Sequence, residues 1–217
     1  MTFKGIFFDL DGTLINSIDD IADSVNIALK DNGFPIHGRE KYFKFVGNGM
    51  KKLVERALPL DVPKETILAV YEQVKTEYSK RWNKKTAPYP KIDNLLKELQ
   101  RKNIIIGILS NKPHDFTEQV VKHYFSEFDF AFVQGAEEPF PHKPDPKLAL
   151  HIVKKLKLYS QEIIYVGDSD VDMQTAVNAN FYPVGVSWGF RSKEELWENG
   201  AKFVVDDPME ILALLDK

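Results

Sequence analysis

The sequence predicts an α/β fold, a doubly wound parallel sheet with a small helical segment inserted after the first strand. Two observations predict the sheet. Several short runs are apolar throughout rather than alternating, the pattern of parallel strands buried on both faces. From the second run onward, segments of helical periodicity separate them, and such alternation builds an open sheet with ligands at the carboxyl ends of its strands. A third observation predicts the insertion: from about Ser17 to Trp82 the chain shows helical segments and no convincing strand.

The first strand is Gly5 to Phe8, which meets Asp9 at once. Ile18 to Asp31 reads as a helix stopped by Gly33 and Pro35, and a shorter helix covers Arg39 to Phe45. Met50 to Leu58 comes after the turn Gly47-Asn48-Gly49, and Pro63 to Trp82 opens with proline at a helix start. The later strands are Ile104 to Leu109, Phe130 to Val133, Ile163 to Val166, Tyr182 to Val186 and Phe203 to Val205. Between them, helical spacing recurs at Ile92, Leu95, Leu96 and Leu99, at Phe116, Val120 and Tyr124, and at Leu148, Ile152 and Leu156. Met209, Leu212 and Leu215 close the chain as another helical set. Residues 1–16 and 83–217 are thus expected to form the α/β core, and 17–82 a separate helical unit.

Composition narrows the function. With 43% hydrophobic and 28% charged residues in a chain of 217, a packed core is expected. A net charge of −3 gives no general attraction to nucleic acid or to an anionic membrane, so any anion-binding cation must be local. The absence of cysteine removes disulfides, thiolate nucleophiles and cysteine-ligated metals. The N-terminal apolar run is too short for a secretory segment and no stretch has the length of a membrane span, which fits a cytoplasmic, unprocessed protein. Monomer and dimer are both left open.

Four clusters come directly after predicted strands or in the loops leading from them. Asp9-Leu10-Asp11-Gly12-Thr13-Leu14 places two carboxylates where a strand yields to a glycine turn, a pair that solvent also accommodates in ordinary turns. Ser110-Asn111 offers a hydroxyl and backbone amides to an oxyanion, or a plain helix cap. Lys143-Pro144-Asp145-Pro146 fixes an ammonium in restricted backbone, suited to a phosphoryl group or to a surface loop. Gly167-Asp168-Ser169-Asp170-Val171-Asp172 gathers hard oxygen ligands suited to magnesium, or an acidic helix start favoured by the dipole. The dipole accounts for Asp170. Taken together the clusters would converge at one sheet edge, where so many carboxylates need a divalent cation and an anionic ligand to be tolerable.

The order Asp-x-Asp-Gly-Thr-Leu, Ser-Asn, Lys-Pro-x-Pro and Gly-Asp-Ser-x-x-Asp resembles the four motifs of the haloacid dehalogenase-like (HAD) superfamily, over essentially the whole chain. The helical insertion is similar to that family's small cap. The Asp-Gly-Thr-Leu-Ile-Asn-Ser, Gly-Asn-Gly and Ser-Trp-Gly-Phe segments further resemble its phosphoglycolate phosphatase-like subgroup.

The resemblance implies a magnesium-dependent phosphatase acting on a small phosphorylated metabolite. Asp9 is the expected nucleophile, forming an aspartyl phosphate, and Asp11 the acid and base. Magnesium (Mg2+) is expected on an Asp9 oxygen, the backbone carbonyl of Asp11 and Asp168, with Asp172 orienting the metal shell. Lys143 balances charge, and Ser110 with the Asn111 amide holds the transferring oxygens. Asn48 and Gly49, in the cap turn, are expected to reach the substrate. Should that turn prove remote, His142 and Arg191 are the next positions to consider.

Neighbouring chemistries fit less well. Asp11 argues against the dehalogenase and phosphonate-cleaving branches, and the lack of histidine in Ile18 to Asp23 argues against the sugar-phosphate mutase branch. A receiver-like signalling domain lacks a helical cap, and a catalytically dead homologue would have lost a motif carboxylate. The substrate stays open among phosphoglycolate, pyrophosphate, a sugar phosphate and a nucleotide.

Overall fold

In the computed structural model, which describes residues 3–215, β1 (Gly5–Phe8) is buried along its whole length at the centre of a six-stranded parallel sheet. Short strand β2 (Ile15–Asn16) leads into α1 (Ile18–Asp31), α2 (Arg39–Phe45), α3 (Met50–Ala57) and α4 (Lys64–Ser79). Strand β3 (Ala87–Pro88) leads back to α5 (Ile92–Arg101), β4 (Ile105–Pro113), α6 (His114–Tyr124), β5 (Phe132–Ala136) and α7 (Lys147–Lys155). A short 3₁₀ turn, Ser160–Glu162, precedes β6 (Ile163–Gly167), α8 (Asp170–Asn178), β7 (Tyr182–Val186), α9 (Lys193–Glu198) and β8 (Phe203–Val205).

The sheet order is β5-β4-β1-β6-β7-β8. The chain fills one side of β1 first and then crosses to the other, which makes a topological switch point beside β1. Register sets Phe8 level with both Ile108 and Val166. Asp9, Ser110 and Asp168 therefore lie at the same edge of the sheet.

Helix α1 forms where the spacing predicts it. Its apolar positions Ile18, Ile21, Val25, Ala28 and Leu29 are all buried, and it ends as Gly33 turns to φ +73. It packs chiefly on α4. The apolar residues of α1 to α4 are continuous with those of the sheet, so Val25, Tyr42 and Val74 share one core with Leu10 and Ile106.

Several boundaries differ from expectation for local reasons. Pro63 precedes α4 as its N-cap, and the helix ends at Ser79, before Trp82. Strand β4 runs on to Pro113, with an irregularity after Leu109, so Ser110 and Asn111 lie in extended chain rather than at a strand-to-helix turn. The C-terminal segment Pro208–Leu214 is a 3₁₀ helix that buries Pro208, Ile211 and Leu214. The spacing of three seen in the sequence is the 3₁₀ repeat, but the buried face lies one residue earlier than the set Met209, Leu212 and Leu215.

No sequence pattern predicts the antiparallel pair β2–β3. Ile15 faces Pro88 and Asn16 faces Ala87, so the two crossings into the helical insertion are bound side by side. Strands of two residues are too short to show periodicity. Beside them Asp20, 1% exposed, accepts hydrogen bonds from Lys85 N and from the Thr86 backbone and hydroxyl. Among the described residues no helix is long and apolar enough to cross a membrane.

Candidate active site

Asp9 stands where β1 ends, its amide donating to the carbonyl of Val166 at 2.9 Å, and it is 8% exposed. Lys143 reaches it from the loop between β5 and α7. The ammonium lies 2.9 Å from Asp9 Oδ1 and 2.7 Å from Asp172 Oδ1, and it donates to the Tyr165 hydroxyl at 2.9 Å. Asn111 fixes the loop that delivers it. Its Oδ1 accepts from Lys143 N, and its Nδ2 donates to the carbonyls of Lys143 and Gly47. The Asn111 side chain thus braces Lys143 against the helical insertion.

Asp9, Asp168 and Asp172 form one buried acidic group, each offering an oxygen within 4.8 Å of the others. Asp172 is set by the start of α8, where Ser169 Oγ donates to its Oδ2 at 2.6 Å and caps the helix in return. Asp168 accepts from Phe190 N at 2.8 Å. Room for it depends on two glycines. A Cβ at Gly12 would lie 2.3 Å from Asp168 Oδ2, and one at Gly189 would lie 2.2 Å from Asp168 Cβ.

Three carboxylates gather here and only Asp9 and Asp172 meet the Lys143 ammonium, and the electrostatics record the excess. Burial pushes the Asp9 carboxyl up to about 6, reinforced by Asp172 and opposed by Lys143. Burial, with Asp172 and Asp9 adding to it, holds Asp168 well above the usual carboxylate range. Burial alone would lower the Lys143 ammonium, but Asp172 and Asp9 outweigh it and raise it well above its ordinary value. Although Lys143 is close, its angle to Asp9 Oδ1 is poor, and that buried oxygen has no directed hydrogen bond. An all-oxygen donor set with an orphaned carboxylate oxygen fits a hard divalent cation.

Asp11 is placed apart from the acidic group. Ser17 Oγ donates to its Oδ1 at 2.6 Å, and Lys112 Nζ lies 2.9 and 3.0 Å from its two oxygens. Ser110 is 4% exposed, and its Oγ accepts from Lys112 N at 3.3 Å. Gly47 and Gly49 line the cavity above Asp9, whereas Asn48 turns its Oδ1 to Arg56 at 2.7 Å. Arg56 also donates to the carbonyl of Phe45, so the guanidinium draws Asn48 into the fabric of the insertion rather than toward the cavity. A Cβ at Gly49 would sit 3.0 Å from His142 Nε2 and 3.3 Å from the Asn111 carbonyl oxygen. Asp170 faces Arg191, with 3.7 Å between Oδ1 and Nε.

Sequence reasoning missed Lys112, Tyr78 and the contacts of Arg191. Lys112 is 8% exposed and donates to the Tyr78 hydroxyl at 2.7 Å, so a core strand and α4 meet at one ammonium. The available signal was its position two past Ser110 in a continuing strand. Arg191 donates to the carbonyls of Phe43 and Val46 while its Nε pairs with Glu195 at 3.0 Å. Phe190 stacks on Phe43 beside it, with centroids 5.8 Å apart. Beneath these contacts lies a cavity of about 60 Å³, walled by Asp9, Asp11, Ser110 and Lys112 on one side and by Ile21, Val46, Met50, Leu53 and Val74 on the other.

Comparisons with known proteins agree with this architecture. The family model described as haloacid dehalogenase-like hydrolase matches residues 6–186. The chain is 32% identical over 209 residues to a phosphoglycolate phosphatase of Psychrobacter arcticus, covering 93% of this chain and 91% of that one. It is 29% identical to a phosphoglycolate phosphatase of Pasteurella multocida, covering 99% of both. A crystal structure from Lactobacillus delbrueckii subsp. bulgaricus, described as a candidate phosphoglycolate phosphatase, superposes with a TM-score of 0.92 at 28% identity and covers 99% of both chains.

Proposed function

This chain belongs to the haloacid dehalogenase-like hydrolases and is a phosphoric monoester hydrolase; we propose that it cleaves a small phosphorylated acid of the phosphoglycolate type through an aspartyl phosphate on Asp9. The observation that carries this reading is the buried group of Asp9, Asp168 and Asp172 at the cavity, with the Lys143 ammonium 2.9 Å from Asp9 Oδ1.

In the proposed reaction Asp9 attacks phosphorus in line and the alcohol oxygen departs. Asp11, on the same turn, supplies the departing oxygen with its proton and then takes one from the water that cleaves the acyl phosphate. Ser17 Oγ holds the Asp11 carboxylate in place for both transfers. Lys143 places positive charge beside Asp9, while Asp172 and Tyr165 hold its ammonium. Ser110 and Asn111 line the cavity, and in this reading the Ser110 hydroxyl and the Asn111 amide hold the transferring oxygens. Magnesium would be held by an Asp9 oxygen, the Asp11 carbonyl and Asp168, oriented through Asp172, and when bound it supplies the charge neutralisation that lets an anionic carboxylate meet a phosphate dianion.

Residues 17–82 act as a cap in this proposal, over a core of 1–16 and 83–217. The β2–β3 pair ties its two crossings together, so movement about that pair opens and closes the cavity.

The test is turnover with magnesium on a panel of phosphoglycolate, pyrophosphate, sugar phosphates and nucleoside monophosphates. The highest kcat/KM is expected for phosphoglycolate. A clear preference for a sugar phosphate or nucleotide would overturn the substrate assignment, and no turnover of any ester would overturn the reaction.

A further inference from the structure

Two cations line the cavity among the described residues, Lys112 and Arg191. The Arg191 guanidinium is occupied by Glu195, Asp170 and the carbonyls of Phe43 and Val46. Lys143 serves the acidic group at the phosphoryl end. Lys112 is different. Its ammonium touches Asp11, the residue assigned to the departing oxygen, and so it stands on the leaving-group side.

We infer that Lys112 is the specificity-determining residue for the leaving group, and that it selects a short alcohol carrying a carboxylate. The inference rests on the proposed phosphatase reaction and deepens it.

The cavity wall supports this assignment. Opposite Lys112 the insertion presents Ile21, Val46, Met50, Leu53 and Val74, whose side chains offer no hydrogen bonds to sugar hydroxyls or a base edge. Ser24 also lines the cavity, but its hydroxyl is taken by the Asp20 carbonyl at 2.6 Å. A volume of about 60 Å³ admits a few water-sized groups. A small apolar space with one ammonium suits a carboxylate two or three atoms from phosphorus.

The ammonium is also held ready. Tyr78 accepts one of its protons at 2.7 Å and lies under it, with 4.7 Å from Nζ to the ring centroid. Asp11 takes a forked contact through both oxygens, which leaves little of the three-proton donor unused. Asp11 therefore stands in for the ligand's carboxylate. When an acid ligand binds, the ammonium turns to it, and Asp11 stays on Ser17 Oγ, free to serve the departing oxygen.

Binding separates this from the reaction itself. In an Asp9→Asn background, 2-phosphoglycolate and its neutral analogue 2-hydroxyethyl phosphate are titrated calorimetrically with magnesium present. The acid should bind about 10- to 100-fold more tightly, the worth of one charge-assisted hydrogen bond. Adding Lys112→Met should bring the two affinities together. Tyr78→Phe, which keeps the ring and removes only the hydroxyl, should reduce the preference in the same direction with the fold unchanged. An equal loss for both ligands in the Lys112 and Tyr78 variants would overturn the inference and reduce Lys112 to a brace for Asp11. So would equal binding of both ligands before Lys112 is changed. The phosphatase reading is judged separately, by turnover of the unsubstituted protein.

Discussion

Arg191 Nη2 donates a 2.8 Å hydrogen bond to the carbonyl oxygen of Val46, the residue immediately before the turn Gly47-Asn48-Gly49. A second donor of the same guanidinium reaches the Phe43 carbonyl, and Nε pairs with Glu195. The loop after β7 thus holds the insertion over Asp9 through backbone atoms. Only a planar fork of donors satisfies two carbonyls and a carboxylate at once. Arg191→Ala is expected to lower kcat/KM roughly 10- to 100-fold, the worth of one or two charged hydrogen bonds. Arg191→Lys should recover little of it. Steady-state kinetics on the two variants check this, and a lysine variant equal to wild type would exclude the latch.

Asp9→Asn should abolish turnover without weakening the fold. The amide keeps the shape but is no nucleophile. In metal-free protein burial raises the Asp9 carboxyl from 3.8 to about 6. The folded state therefore binds the proton more tightly than the unfolded chain. Its stabilising contribution is complete below pH 3.8 and is lost as pH rises through about 6. Asparagine carries no charge to bury, so the melting temperature of the variant at neutral pH should equal or exceed that of wild type. Substantial residual turnover would assign the nucleophile elsewhere.

Activity should vanish in excess chelator and return with magnesium, while calcium inhibits because it prefers more ligands at longer distances. Asp168→Ala should raise the magnesium requirement far more than Asp170→Ala. Asp168 belongs to the buried acidic group, whereas Asp170 faces Arg191. Magnesium titrations of both variants distinguish them, and full activity in chelator would remove the metal assignment.

Gly49→Val should change the ranking of substrates by kcat/KM while leaving magnesium dependence almost untouched. Gly49 has φ +84 and ψ 162, a region essentially confined to glycine and costing another residue roughly 1–3 kcal/mol, and its missing Cβ faces His142 at 3.0 Å. Asn48→Ala should act more weakly, because the Asn48 side chain meets Arg56 rather than the cavity. Melting temperature and the substrate panel are measured together. A lowered melting temperature with an unchanged ranking would make the turn a helix connector and nothing more.

Some of the site is legible without knowledge of any contact. Asp9 and Asp168 come at the ends of unbroken apolar runs, and parallel strands deliver their next residues to a common edge, as the register of Phe8 with Ile108 and Val166 shows. Ser110 is legible as a residue, but its pattern points to a helix start. The strand in fact continues through Lys112 to Pro113, and no break in composition marks that extension.

The sequence by itself determined the doubly wound sheet, helix α1 in full, and the order in which carboxylates and ammonium arrive, since period and local steric preference are written in neighbouring residues. Tertiary structure alone decided which charges meet. Lys112 pairs with Asp11 across 101 positions and with Tyr78 across 34, and Asp20 ties down Thr86 across 66. Asn48 was drawn to Arg56 and Asn111 to the Lys143 loop in the same way. Burial compels each such polar group to find a partner, but the partner is whichever group the packed helices bring within about 3 Å, and no local pattern encodes that choice.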